Sequence, residues 1–104
     1  MGQASRPKPM RLAEKLLEVR NRLKLSQNEL INRLGLTDAL TQARISAYER
    51  AVREPPLLVL LRYAEISGVY VDALINDALD LPARLPASPT SEGIRRKKSP
   101  RKKN

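Results

Sequence analysis

Apolar residues between Met10 and Ala78 recur at three- and four-residue intervals, the period of helices packed on one side. Leu12, Leu16, Val19 and Leu23 form the stripe of a first helix predicted over Met10 to Lys24, with Arg11, Glu14, Lys15 and Glu18 on its outer face. Leu30, Ile31 and Leu34 line one face of a second helix. In a third, Ile45 and Tyr48 point inward, which leaves Gln42, Ala43, Ser46 and Ala47 on the opposite side. The fourth helix carries two stripes. Leu57, Leu60, Leu61 and Ala64 face the core, while Val59, Tyr63 and Ile66 form a surplus that Tyr70 extends. A small domain does not easily bury both. The surplus is therefore either a candidate dimer interface or a surface covered by the fifth helix or the tail. Val71, Leu74, Ile75 and Ala78 are the inner face of the fifth.

Local signals punctuate these stripes. Ser26 followed by Glu29 is a capping box, and Leu25 with Leu30 has the spacing of a hydrophobic staple. Gly35 ends the second helix, because a left-handed residue there costs glycine least. Two residues compete to start the third. Thr41 is a good N-cap, and Thr37 is followed by Asp38 where the helix dipole favours an anion. Pro56 suits the first turn of the fourth helix.

Charge adds direction to this pattern. The net charge of +9 is spread unevenly over the 104 residues. Residues 10–80 hold ten Lys or Arg and ten Asp or Glu, whereas residues 81–104 hold eight basic residues and one acidic. Within the first of these, residues 11–53 carry nine basic and five acidic side chains, and residues 54–80 carry one basic, Arg62, and five acidic. That polarity would orient a polyanion before contact. The terminal run RRKKSPRKK concentrates seven positive charges in nine residues. Such a run binds phosphate backbones without sequence preference; it also matches a nuclear localisation signal or a solubilising tail. Proline, serine and threonine from Leu81 onward predict a disordered tail over 81–104, and Pro7 and Pro9 a disordered arm over 1–9.

Composition also excludes. There is no cysteine and no histidine, so disulfides, ordinary zinc sites and the common nucleophile and acid–base constellations are absent. The four glycines are too dispersed for a phosphate loop. Asp72, Asp77 and Asp80 are a solvated edge rather than a metal site. The longest apolar run, Leu57 to Leu61, is far too short to span a bilayer, and the first ten residues carry no secretory signal. A cytoplasmic protein without enzymatic activity, metal or cofactor is expected.

The series Gln27-x-x-Leu30, Ile45-Ser46-x-Tyr48-Glu49, Pro55-x-Leu57-x-x-Leu60-Leu61 and Gly68-Val69-x-Val71-x-x-Leu74 resembles the lambda-repressor-like (Xre-type) helix-turn-helix family. The resemblance implies an all-α, compact five-helix DNA-binding domain over 10–80, and suits a bacterial or phage origin. It implies an Arg20–Glu49 ion pair, and a Gln27 that braces Gln42 or touches a phosphate. Three departures stand out. Leu36 to Leu40 lengthens the turn, either as a longer loop or as an extra turn of the third helix. Ala51 stands where the family has glycine, so the helix is expected to run on to Val52 until the prolines end it. Tyr70 replaces a polar cap.

These readings converge on a sequence-specific binder of double-stranded DNA, a transcriptional regulator with its recognition helix over about 41–50 in the major groove. Gln42 is the candidate for direct base readout, with Ala43, Ser46 and Ala47 beside it. Thr41, Arg44, Arg50 and Arg53 are candidates for bracing the helix or holding phosphates. Two alternatives remain at this level. One is an antitoxin whose partner toxin occupies Val59, Tyr63 and Ile66. The other is a protein-interaction adaptor whose helix-turn-helix no longer reads sequence.

Overall fold

A computed structural model describes residues 7–87, among which five helices and no strand occur. They are α1 (Leu12–Arg22), α2 (Gln27–Leu34), α3 (Gln42–Glu49), α4 (Leu57–Ser67) and α5 (Val71–Ile75). α1 packs against α3, α4 and α5, and α2 packs against α3 and α4. The core between them is aliphatic except for two tyrosines, Tyr48 and Tyr63, which are its largest fully buried side chains.

α1 is shorter than its periodicity predicts, and its amino end is capped from a distance. Arg11 at the N-cap caps no amide of the helix with its side chain. Instead the Asp77 carboxylate accepts from the Met10 amide at 2.8 Å and the Arg11 amide at 3.0 Å. Those two donors, Met10 first, hold the Asp77 carboxyl below the usual carboxylate range. Arg11 answers by donating to the main-chain oxygen of Asp77 at 3.0 Å and to the Asp80 carboxylate at 2.8 Å.

Lys15 completes this clasp and corrects its expected outward position. Its side chain is fully buried. The Nζ donates to the carbonyls of Ala73 (2.9 Å), Asn76 (2.9 Å) and Leu79 (2.7 Å). The Ala73 oxygen lies in the last turn of α5, where carbonyls lack intrahelical donors, while the Asn76 and Leu79 oxygens lie beyond the helix end and also accept from the Leu79 amide and Arg11 Nη1 respectively. α5 is accordingly a single short turn. Leu74 alone is fully buried there, while Ile75 and Ala78, expected to face inward, are exposed because the helix has already ended.

α4 is rotated relative to the sequence expectation. Val59, Leu60, Tyr63, Ala64 and Ser67 are buried, and Ile66 packs partly against the core. Leu57 and Leu61, expected inside, face solvent. Burying the Tyr63 ring removes more apolar area from water than burying a leucine, so the register containing Tyr63 is the one the core takes. The candidate interface of Val59, Tyr63, Ile66 and Tyr70 is therefore not a free surface. Tyr70 is itself only half exposed and engaged.

The packed unit also runs past Asp80. Leu81 is buried, and Leu85 and Ala87 pack against the core. The Ala83 carbonyl accepts from Arg22, and the Ala87 amide donates to the Ser67 oxygen at 2.8 Å. A Cβ at Gly68 would meet the Ala87 oxygen at 2.7 Å, so glycine is required there by contact as well as by its φ of +74°. Residues 81–87 are thus a strap on the domain, not the start of the tail. The basic run 95–103 and residues 1–6 lie outside the described residues.

One helix terminus departs from expectation in an instructive way. α3 stops at Glu49, and Ala51 adopts φ 62°, the left-handed conformation its Cβ disfavours. The Val52 and Arg53 amides then turn back onto the Ala47 oxygen at 2.9 and 3.2 Å. These bonds fix the turn despite the alanine. Ala51→Gly is expected to raise stability by about 1 kcal/mol. Thermal unfolding checks this: a melting temperature unchanged or lowered would mean that the left-handed turn carries no strain.

Candidate nucleic-acid interface

The helix pair is anchored by the local signals that predict it. Ser26 Oγ accepts from the Glu29 amide at 3.0 Å, and the Glu29 carboxylate accepts from the Ser26 amide at 2.8 Å. Gly35 closes α2 at φ 72°. The long connection proves to be a loop and adds no helical turn. The Ala39 and Leu40 amides donate to the Leu36 oxygen at 3.0 and 2.9 Å, and Leu40 is buried as a plug. Thr41 rather than Thr37 caps α3, its hydroxyl accepting from the Arg44 amide at 3.2 Å.

α3 is held from beneath. Ile45 and Tyr48 are fully buried. Arg20 Nε and Nη2 donate to the two oxygens of Glu49 at 2.7 and 3.0 Å, a fork-to-fork pair, and Nη1 donates to the Leu25 oxygen at 3.1 Å. The side chains of Arg20 and Glu49 are only 17% and 6% exposed. The Glu49 hydrogen bonds raise the Arg20 pKa. Gln27 joins the same carboxylate, its Nε2 donating to Glu49 Oε1 at 3.4 Å. Gln27 therefore reaches Glu49 and makes no hydrogen bond to Gln42 among the described residues. One cluster thus ties the end of α1 and the start of α2 to the end of α3. Tyr48 and Tyr63 lie in the same core with hydroxyls that are buried and unpaired within the described residues. Burial keeps the Tyr63 proton well beyond its ordinary range.

The opposite side of α3 is open. Thr41, Gln42, Ala43 and Arg44 are exposed, and Ser46 and Ala47 are half-buried. The open surface is therefore widest at the amino end of α3. Ser46 is also engaged, accepting from Arg50 Nε at 3.1 Å, which lays the Arg50 side chain along the helix.

Outside the helix pair, Arg11, Arg20, Arg22 and Arg62 each have a carboxylate partner, whereas Lys8, Lys15 and Arg84 have none among the described residues. From Lys24 to Arg53, none of Lys24, Arg33, Arg44, Arg50 and Arg53 has one among the described residues. Lys24 and Arg33 were not singled out by the sequence. Their free charge follows from where the acids go: Glu29 caps its own helix and Glu49 is taken by Arg20. Lys8 to Met10 run beside Tyr48, Ala51, Arg53 and Pro55, forming a shallow groove at the far end of α3.

Among the described residues, no group of acidic side chains could hold a metal ion. No helix there is long and apolar enough to cross a membrane. The model of the family described as Helix-turn-helix matches residues 16–74. No curated protein and no solved structure gives a significant match.

Proposed function

We infer that this chain, which belongs to the lambda-repressor-like helix-turn-helix family of DNA-binding regulators, reads duplex sequence through α3 laid in the major groove. The observation that carries this reading is the pairing of an open α3 amino end with the five cations of the Lys24–Arg53 stretch that have no carboxylate partner among the described residues. Short uncharged side chains can approach base edges, and free cations around them can meet phosphates without first breaking an ion pair. Gln42 stands at the first position of the helix, exposed and without a side-chain partner among the described residues, and takes the base-reading role. Ala43, with Ala47 deeper, would meet thymine methyls. Arg44 and Arg53 hold phosphates, and Arg50 reaches one after leaving Ser46. Glu49, Arg20 and Gln27 set the angle of α3 and touch no DNA.

Selection of preferred sites from a random duplex pool, repeated across a salt series, tests this. Gln42→Ala is expected to relax one base position, at a cost of about 1–3 kcal/mol for the preferred site. Arg44→Ala is expected to weaken all sequences alike and to reduce the salt slope by about one. A Gln42→Ala protein with the same site preference would remove that residue from the reading. Removing residues 95–104 should lower affinity everywhere and leave the preferred site as it was. An adaptor that had lost sequence reading would instead discriminate nothing and bind nothing after that truncation. The antitoxin reading loses the surface assigned to it, since Val59 and Tyr63 are core.

A further inference from the structure

The segment leading into α1 and the exit of α3 meet without closing on each other. Lys8, Pro9 and Met10 run along one side of a groove, and Ala51, Arg53 and Pro55 along the other. Leu12, Ala13 and Tyr48 line it between them. Leu12 and Tyr48 are core residues, and Met10 stands 78% exposed. The groove encloses about 70 Å³. An apolar cavity of about 150 Å³ takes a benzene ring, so this one takes about three heavy atoms and leaves the rest of any ligand in solvent.

Charge at the edge differs from the lining. Lys8 and Arg53 are exposed and have no carboxylate partner among the described residues. Glu54, the acid that lines the groove beside them, is already engaged. The edge therefore carries two cations against one anion, next to apolar walls.

We propose that this groove binds a small amphipathic anion, an alkyl carboxylate with a tail of about three carbons, and that its occupant lowers the affinity for DNA. The last clause rests on the DNA-reading assignment above; the site itself does not. Charge and lining together select this chemistry. An inorganic anion would meet the cations and leave Leu12, Met10 and Tyr48 uncovered. A neutral alkyl chain would cover those side chains and leave the cations to water. A duplex phosphate has no tail to place there. Ligands of the size that ordinary sites enclose, about 300–1,000 Å³, would stand mostly in solvent. So few enclosed atoms put the dissociation constant in the millimolar range.

Arg53 links the groove to the reading surface. A guanidinium that meets a carboxylate in the groove is not free for a phosphate, and the bound carboxylate adds negative charge where that phosphate would pass. The wall beside it is the left-handed turn at Ala51, held by the Val52 and Arg53 amides on the Ala47 oxygen. An occupant therefore bears on the exit of α3 as well. Each ligand weakens the other by the same factor.

The site is tested by two-dimensional NMR spectra of the full chain without DNA, titrated with butyrate at constant ionic strength. Signals of Met10, Ala13, Ala51 and Arg53 are expected to shift together and to saturate. Butanol and inorganic phosphate each supply half of the chemistry and are expected to bind about fivefold more weakly or worse. Lys8→Gln should weaken butyrate by about fivefold. Ala13→Leu, which fills the groove from α1, should abolish saturation. Neither variant is expected to lose the folded spectrum, since Lys8 is exposed and Ala13 half-buried. Shifts scattered over the surface would overturn the proposal, as would butyrate binding that survives both variants. Phosphate binding as tight as butyrate would make this an anion contact alone and overturn the amphipathic assignment. Duplex affinity, measured in butyrate and in chloride of equal ionic strength, is expected to fall about threefold to tenfold, within the usual range of coupling between two sites. Saturable butyrate binding with unchanged duplex affinity would overturn the coupling and leave the site. The reading assignment fails elsewhere, in a Gln42→Ala protein that keeps its site preference, and that result does not move the butyrate titration.

Discussion

Arg20→Ala is expected to lose about 3–5 kcal/mol of stability, because it strands a buried carboxylate. A domain of this size has about 5–15 kcal/mol in total, so the loss takes a large share of its stability. Glu49 is 6% exposed, and its other side-chain donor, Gln27, reaches it only at 3.4 Å. The guanidinium also satisfies the Leu25 oxygen at the bend between α1 and α2, and that bond goes with it. Equilibrium denaturation measures the loss. A change under about 1 kcal/mol would mean that water replaces the arginine freely and the pair is not sealed. The double variant Arg20→Met with Glu49→Leu separates stability from positioning. Apolar replacement of both partners is expected to recover most of the stability. Sequence discrimination should not recover with it, because the fork that sets the angle between α1 and α3 is gone.

Lys15→Met should cost about 3 kcal/mol, the scale of a buried charge-assisted hydrogen-bond set lost without replacement. Methionine keeps the aliphatic volume of the stem and removes only the ammonium. Three carbonyls, on Ala73, Asn76 and Leu79, then lose a common donor. Arginine is not expected to rescue, since a planar fork cannot aim three donors from a single atom. Amide hydrogen exchange locates the effect. Residues 73–81 should exchange faster while the Ser26–Leu34 amides change only with global stability. Uniform acceleration across all helices would show that the lysine stabilises the whole fold without any local hold on the end of α5.

What was legible in the chain was local. The capping box at Ser26 and Glu29, the glycine at 35 and the inward pair Ile45 and Tyr48 each depend on residues within one or two turns, and each appears as the pattern implies. Thr41 against Thr37 stayed open, because both satisfy the same rule. The burial of Leu40 decides it by pinning the loop just ahead of Thr41. The departures are long-range. On α4 the buried side draws Leu60 and Ala64 from one stripe and Val59 and Tyr63 from the other, a face set by the space that α1, α2 and α5 leave. Ala51 takes a backbone conformation its own identity argues against, held by bonds from Val52 and Arg53. Lys15 did carry a signal that charge obscured. It lies three residues after Leu12 and four before Val19, on the buried stripe. A lysine there needs acceptors, and those come from 58 to 64 residues away in sequence. The open side of α3 was legible for the same local reason as its buried side, whereas the freedom of its cations was not, because it depends on which carboxylates are taken elsewhere.

The clasp between the start of α1 and the segment around Asp77 also bears on synthesis. On the ribosome, α1 emerges first, with its leading amides and the Lys15 ammonium lacking the partners that will hold them. Asp77 and Leu79 are made more than sixty residues later. A nascent chain arrested before Leu79 clears the exit tunnel should therefore remain protease-sensitive along its whole length, and release of only a few further residues should protect it all at once.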